Sequence, residues 1–274
     1  MGKVCVKYLS VCSGIEAASV AWAPLGWKPL VLSEIEPFPR EVLKVRHGAE
    51  DARFFRFGTG PLLWGDFTSI RRRFLARLGV DLADVDLLVG GTPCQAFSVA
   101  GLRQSLSDDR GNLSLEFVRL ANAIDNLRRH RGKPSLFILW ENVPGVLSVG
   151  DNAFGCFLGG MVGSDDPIVS PNKSGWTDAG VVAGPKRCAA WRCLDAQHFG
   201  LAQRRKRVFM CARGGSDPWR CADALLPIID SMSWHSAPSR EARQGVAGTL
   251  GARATAGGGL GTDFELGGGL QVAT

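Results

Sequence analysis

The chain lacks several features that would classify it at once. No run of about 18 or more apolar residues occurs, so an α-helical membrane span is not expected. The opening Met1-Gly2-Lys3-Val4-Cys5 has no long apolar stretch behind it of the kind a secretory signal carries, and a cytoplasmic location is the expectation. None of the eight cysteines (Cys5, Cys12, Cys94, Cys156, Cys188, Cys193, Cys211, Cys221) stands at Cys-x-x-Cys spacing. That argues against a structural zinc site and against a thioredoxin-like pair; no His/Cys ligand cluster is seen and no metal is expected. Thiols in a cytosolic chain of this size are mostly reduced and buried, so any one cysteine needs specific support before it is read as reactive.

What is present is a 274-residue chain, 45% hydrophobic, with 32 Lys+Arg against 26 Asp+Glu and a formal charge of +6. It can bury one substantial core and a smaller lobe. The modest positive excess is compatible with nucleic acid but does not establish it. Basic residues cluster at Arg71-Arg72-Arg73, Arg128-Arg129-His130-Arg131 and Arg204-Arg205-Lys206-Arg207. The first two read as solvated faces of helices, whereas the third leads into an apolar strand.

Strand-like and helical runs alternate. Strands are expected over Val6–Cys12, Pro29–Ser33, Asp86–Val89, Ser135–Trp140, Ala190–Asp195 and Arg207–Ala212. Helices are expected over Ala17–Ala23, Pro39–His47, Ile70–Leu78 and Leu113–Arg131, the last from apolar residues at three- and four-residue spacing. Residues 48–65 and 90–112 read as loops, and 148–186, rich in Gly, Asp, Ser and Pro, as an irregular insertion. The alternation implies an α/β fold with a mainly parallel, doubly wound sheet and helices on both faces. Ten of the last thirty residues are glycine, which reads as a flexible tail.

The densest chemistry lies in Gly90-Gly91-Thr92-Pro93-Cys94-Gln95-Ala96-Phe97-Ser98, directly after an apolar strand. A cysteine on a Gly/Pro-rich turn at a strand's carboxyl end faces the cleft where open α/β sheets place their active sites. The first strand runs into Ser10-Val11-Cys12-Ser13-Gly14-Ile15-Glu16-Ala17, a small-residue turn that lets a nucleotide-like ligand approach a helix N-terminus. Glu34 follows about 20 residues later, where a ribose-binding acid is expected, and Asp66 is placed to meet an adenine amine. The full Gly-x-Gly-x-x-Gly is missing, which counts against NAD. Glu141, in Trp140-Glu141-Asn142-Val143, is either a solvated strand-end residue or a proton-transfer acid. On a strand, Arg205 and Arg207 share a face opposite Arg204 and Lys206; either pair could reach a site, or the run could simply charge an edge strand.

Taken in order, these residues resemble the DNA cytosine-5 methyltransferases of bacteria and bacteriophages. Pro93-Cys94-Gln95 with Phe97-Ser98 matches the family's nucleophile motif, and Glu141-Asn142-Val143 its Glu-Asn-Val. Gln203, Arg205 and Arg207 match Gln-x-Arg-x-Arg, Glu34 and Asp66 the cofactor-side acids, and Asp108–Leu113 the segment after the nucleophile. The resemblance implies a Rossmann-like S-adenosyl-L-methionine-dependent methyltransferase fold. It implies Cys94, Glu141, Arg205 and Arg207 as catalytic residues, and Ser13, Gly14, Ile15, Glu34, Ile35, Asp66, Phe67, Pro93 and Leu113 around S-adenosyl-L-methionine. The substrate it implies is double-stranded DNA with a flipped-out cytosine. Cys12, Glu16 and Ala17 depart from the aromatic and glycines usual in the first loop. Only 62 residues follow Ala212, and the family's target recognition region and final motifs are not found in them. Residues 1–213 are therefore expected to be the cofactor-binding catalytic domain and 214–274 a partial recognition-region remnant. Two alternatives stay open: a non-catalytic module that binds cofactor or a second polypeptide supplying the missing motifs, and a transfer-RNA cytosine-5 methyltransferase.

Overall fold

The computed structural model describes residues 5–55, 60–92, 113–148, 152–172 and 175–215. Among the described residues nine strands form one sheet in the order β3-β4-β2-β1-β5-β6-β9-β8-β7. Strand β1 (Lys7–Val11) pairs in parallel with β2 (Lys28–Ser33) on one side and with β5 (Leu87–Gly90) on the other. Flanked on both edges and covered on both faces, it buries Tyr8, Leu9 and Val11 completely. Beyond β2 lie β4 (Leu62–Trp64) and β3 (Glu50–Asp51), both parallel. Beyond β5 lies β6 (Phe137–Asn142), parallel, and then β9 (Lys206–Arg213), antiparallel to β6. Strands β8 (Cys188–Asp195) and β7 (Ala179–Ala183) pair antiparallel at the far edge. The chain leaves β1 toward β2 on one side and returns to β5 on the other. The carboxyl ends of β1 and β5 therefore frame a topological switch point, where open α/β sheets bind ligands.

Local sequence explains the helices. Helix α1 (Ala17–Trp22) starts at Glu16, whose carboxylate accepts the Ser19 N–H. Helix α2 (Pro37–His47) begins with two prolines, which suit a first turn, and stops at Gly48 with φ +63. Helix α3 (Arg72–Arg77) is short. Helix α4 (Leu113–His130) lays Phe117, Leu120, Ala121 and Ile124 on the sheet.

Four expectations need correction. The loop expected over 48–65 contains β3 and β4, which are too short to register as periodic runs. The strand expected to end at Trp140 continues through Glu141 and Asn142, so both belong to the sheet. The segment 148–186, expected to be irregular, contains helix α5 (Ala153–Val162) as well as β7. Helix α5 is apolar on all sides, as a fully buried helix is, and so shows no amphipathic pattern. Its glycines admit neighbouring backbone: a Cβ on Gly155 would lie 2.0 Å from Ile168 O, and one on Gly159 would lie 2.8 Å from Asp166 O. Finally, Arg128 is not on a solvated face. It is 3% exposed and donates to the carbonyls of Ala83, Val85 and Pro134.

The core runs through both faces of the sheet. An aromatic group of Trp140, Phe154, Phe157, Trp176 and Trp191 fills the side under α5, with Trp140 and Phe157 centroids 4.4 Å apart. The described residues divide into two units: 5–193 with 207–215, and 194–206. Among the described residues no helix is long and apolar enough to cross a membrane.

Candidate active site

The turn after β1 is built from alternating left-handed residues. Cys12 (φ +50), Gly14 (φ +53) and Glu16 (φ +65) all take positive φ. Only glycine does so without strain, so the two side-chain-bearing positions must be held by their surroundings. Ser13 supplies part of that hold: its N–H donates to Ser33 O (3.1 Å) and its hydroxyl accepts the Ser33 N–H (3.2 Å). Glu34 supplies more. Its Oε2 accepts the Gly14 N–H (2.7 Å), while Oε1 accepts the N–H groups of Ile35 (2.8 Å) and Glu36 (2.9 Å). A carboxylate offers about four acceptor sites, so three backbone donors orient Glu34 and leave one site, on Oε2, for a ligand hydroxyl.

The rest of this end suits an adenosine-bearing ligand. Space above Gly14 is open, with nothing within 4 Å of a Cβ placed there. Ile15 and Ile35 expose 61% and 64% of their surface at the carboxyl ends of β1 and β2, as apolar walls for a base or ribose would. Asp66 is exposed, and one of its oxygens, Oδ1, accepts the Thr68 N–H (2.9 Å). Phe67 differs from its neighbours: it is 5% exposed and belongs to the hydrophobic core. Arg40, which sequence reasoning missed, ties this edge together. It donates to Glu34 O (2.7 Å), Trp64 O (2.9 Å) and Asp51 Oδ2 (2.8 Å). Burial, helped by the carboxylates of Glu34 and Asp66, pushes the Cys12 thiol up to about 11. Cys12 is therefore a neutral wall of this cleft.

The second half of the site lies at the carboxyl ends of β5 and β6. Gly90 can only be glycine: a Cβ there would meet Val11 Cγ2 at 2.5 Å and Val11 O at 2.9 Å. A Cβ on Gly91 would lie 3.0 Å from Glu141 Oε2, so the turn passes directly against that carboxylate. The other carboxylate oxygen, Oε1, accepts from Arg207 Nε at 2.9 Å. Register explains the pairing, since β6 and β9 run antiparallel with Glu141 opposite Phe209 and Asn142 opposite Val208. Thr92 is 1% exposed and is held three ways. Its hydroxyl accepts from Trp140 Nε1 (3.0 Å) and shares a hydrogen bond with Ser114 (2.7 Å), and its carbonyl accepts from Asn142 Nδ2 (2.7 Å). Asn142 Oδ1 in turn accepts the Val143 N–H (2.8 Å). Sequence reasoning saw Asn142 only as part of a motif; its role depends on a partner 50 residues away.

Of the expected site residues, Ser13, Gly14, Ile15, Glu34, Ile35 and Asp66 thus cluster around the β1–β2–β4 ends, and Glu141 and Arg207 around the β5–β6 ends. Leu113, the first residue of α4, packs half-buried against the core. Pro93 and Cys94 lie outside the described residues. Arg205 precedes β9 rather than sharing a strand face with Arg207. It belongs to the Leu194–Lys206 unit, where its N–H donates to Asp195 Oδ1 (3.0 Å).

A mainly parallel, mixed sheet with a switch-point cleft of this make-up is that of an S-adenosyl-L-methionine-dependent methyltransferase, and S-adenosyl-L-methionine is its cofactor. The Dnmt2 methyltransferase of S. pombe shares that fold, with a TM-score of 0.50 at 15% identity over 87% of this chain and 57% of its own. A family model for C-5 cytosine-specific DNA methylase matches residues 6–156, more than half of the sequence, and the chain belongs to that family. Among similar proteins, one from Escherichia phage P1 named DNA N-6-adenine-methyltransferase is 47% identical over 232 residues, 77% of this chain but 29% of its own length. Type II methyltransferase M.NgoBV of Neisseria gonorrhoeae is 31% identical over 68% of this chain and 34% of its own. Type II methyltransferase M.AquIA of Picosynechococcus is 27% identical over 74% of this chain and 70% of its own. The chain therefore spans about a third or less of the phage P1 and Neisseria proteins.

Proposed function

We propose that this chain carries the cofactor-binding and catalytic part of a DNA cytosine-5 methyltransferase, acting through a covalent adduct on Cys94. The supporting observation is the Glu141 carboxylate, fixed on one oxygen by Arg207 and packed on the other against Gly91, three residues before Cys94. Gly91 and Cys94 belong to one continuous motif in the sequence, which supports reading the Glu141 carboxylate as the partner of the Cys94 thiol.

Carbon 5 of cytosine is a weak nucleophile. Addition of the Cys94 thiolate to carbon 6 forms a C–S bond and moves electron density to carbon 5. Glu141 hydrogen-bonds or protonates N3, which accepts the displaced charge, and Arg207 holds the carboxylate in plane and meets the base's O2. When bound, S-adenosyl-L-methionine supplies an electrophilic methyl group on its sulfonium. Once carbon 5 carries the methyl group, its proton passes to solvent and elimination of the Cys94 thiolate breaks the C–S bond and restores the aromatic ring. Ser13, Gly14, Ile15, Glu34, Ile35, Asp66, Phe67, Pro93 and Leu113 form the cofactor side, with Glu34 Oε2 receiving a ribose hydroxyl. The DNA must present its cytosine flipped out of the duplex, at a cost of a few kcal/mol. A second polypeptide would supply target recognition if the chain works as one part of a split enzyme.

The name of the phage P1 relative favours a second reading, methyl transfer to adenine N6. That reaction uses the exocyclic amine directly and needs no thiol nucleophile, and the matched segment is under a third of that protein. The discriminating experiment incubates the chain with labelled S-adenosyl-L-methionine and duplex DNA, digests the product and separates nucleosides by mass. Label in 5-methylcytosine, lost in Cys94→Ser, supports the cytosine reading. Label in N6-methyladenine that survives Cys94→Ser refutes it. Label on transfer RNA alone moves the substrate to RNA, and cofactor binding without any label leaves a non-catalytic module.

A further inference from the structure

Glu16 stands where the sequence departs from the family's glycines, and the structure makes it the hub of the first loop. It is 1% exposed, takes φ +65 and lies beneath Ser13-Gly14-Ile15. Five donor groups from four residues converge on it or on its immediate partners. Ser10 Oγ donates to Oε2 (2.7 Å), and the N–H and hydroxyl of Ser19 approach Oε1 at 3.2 and 3.4 Å. Ser13 Oγ lies 3.0 Å from Ser10 Oγ, and Tyr8 OH lies 2.6 Å from Ser19 Oγ. Two hydroxyl relays, one through Ser10 and one through Ser19, thus end on one carboxylate. Burial raises the pKa of Glu16, opposed by the hydrogen bonds from Ser10 and Ser19 and by His47 of α2, whose Nε2 sits 3.2 Å from Ile15 O.

An acid this deep is costly unless its acceptors are filled, and a side chain at positive φ is strained unless its surroundings hold it. Here the same contacts meet both demands. They also set the direction of the N–H groups and the hydroxyl in the loop expected to cradle the cofactor. We infer that Glu16 is a positioning residue for S-adenosyl-L-methionine, holding the 12–16 loop in its alternating left-handed shape through Ser10 and Ser19. The inference rests on the cofactor-site reading above. A positioning role differs from simple charge attraction. S-adenosyl-L-methionine carries a sulfonium and S-adenosylhomocysteine a neutral thioether, while the adenosine and amino-acid parts of the two are the same.

The test is calorimetric binding of both ligands to the full chain. Glu16→Ala should weaken both by about tenfold, the equivalent of one or two lost hydrogen bonds in the binding loop. Glu16→Gln, which retains the acceptor for Ser19 and can donate to Ser10, should stay within about threefold of the parent for both. Circular dichroism checks folding; if Glu16→Ala does not fold, Glu16→Gly removes the carboxylate while relieving the positive-φ strain and serves in its place. Unchanged affinity in the Ala or Gly variant overturns the inference. So does a loss confined to S-adenosyl-L-methionine and shared by Glu16→Gln, which would indicate charge alone. If the parent chain binds neither ligand, the cofactor-site reading itself falls, whatever the variants do.

Discussion

Removal of the Asn142 amide is the sharpest perturbation the site offers. Its Nδ2 donates to the carbonyl of Thr92, a residue 1% exposed, and its Oδ1 accepts the Val143 N–H. Asn142→Ala orphans both partners, but unequally. Val143 is 48% exposed, so its N–H regains water at little cost. The Thr92 carbonyl does not, and leaving a buried acceptor unsatisfied costs about 1–3 kcal/mol. A loss of about 2 kcal/mol corresponds to a fall in melting temperature of roughly 4–8 °C for a domain of this size.

Asn142→Asp sharpens the argument, because it keeps the shape and reverses one polarity. At neutral pH the new carboxylate faces the Thr92 carbonyl oxygen across the distance of a former hydrogen bond, two acceptors without a proton between them. That variant should be less stable than Asn142→Ala. When protonated, its O–H can donate to Thr92 O and restore the bond. The pKa of the new group is therefore raised in the folded state above its unfolded value of about 3.9. Stability is then fully present below the unfolded value and is lost as pH rises through the raised folded value. Urea unfolding followed by circular dichroism at pH 5 and pH 8 measures this directly. An Asn142→Asp protein as stable as the parent at pH 8, or an Asn142→Ala penalty below about 0.5 kcal/mol, would show that the amide does not hold Thr92.

Three further outcomes follow from the packing around the site and core. Asp125→Ala strands Arg187, which is 3% exposed and donates to it through Nε at 2.8 Å, and should cost about 3–5 kcal/mol in chemical unfolding; adding Arg187→Met should recover part of that loss, and no recovery would mean the pair is not coupled. Cys12, its thiol pushed up to about 11 by burial and by Glu34 and Asp66, is on the order of one part in a thousand thiolate at pH 8. Peptide mass mapping should find it alkylated far more slowly than the exposed Cys5, and faster in Glu34→Gln, so equal labelling of the two thiols would contradict the placement. Gly90→Ala forces a methyl to within 2.5 Å of Val11 Cγ2 and should cost about 1–3 kcal/mol by thermal melting, with an unchanged midpoint as the refuting result.

How much of this could be read from the sequence follows from where each signal resides. Strands β1, β2, β5, β6, β8 and β9 and helices α2 and α4 were legible because apolar runs, prolines and glycines act locally. Three-residue β4 was not, since its strand identity comes from pairing with Val31–Ser33 rather than from its own pattern. Helix α5 was not, because periodicity needs a polar face to contrast with and this helix has none. The two acids and small residues of the cofactor side were readable as strand-end positions, and the structure groups them. Phe67 was legible as a neighbour of Asp66 but not as a core ring. Arg205 stands one residue before the strand whose face the sequence pattern extends to it.

The missed residues share a physical cause. Asn142, Thr92, Arg40, Arg128 and Glu16 act by hydrogen bonds to backbone or hydroxyl groups that only folding brings near. Arg128 reaches carbonyls more than 40 positions away, and Asn142 reaches one at 50. From sequence, an Arg beside three other basic residues is indistinguishable from a solvated face, and an Asn after Glu141 carries no mark of its partner. Glu16 did leave a trace, as a charged residue in a turn of small ones. A buried acid at positive φ persists only where the surrounding structure over-determines it, and here the over-determining contacts are two hydroxyl relays and a helix cap. A chemically odd residue inside an otherwise regular motif therefore pointed to a constraint, while the nature of that constraint became visible only in three dimensions.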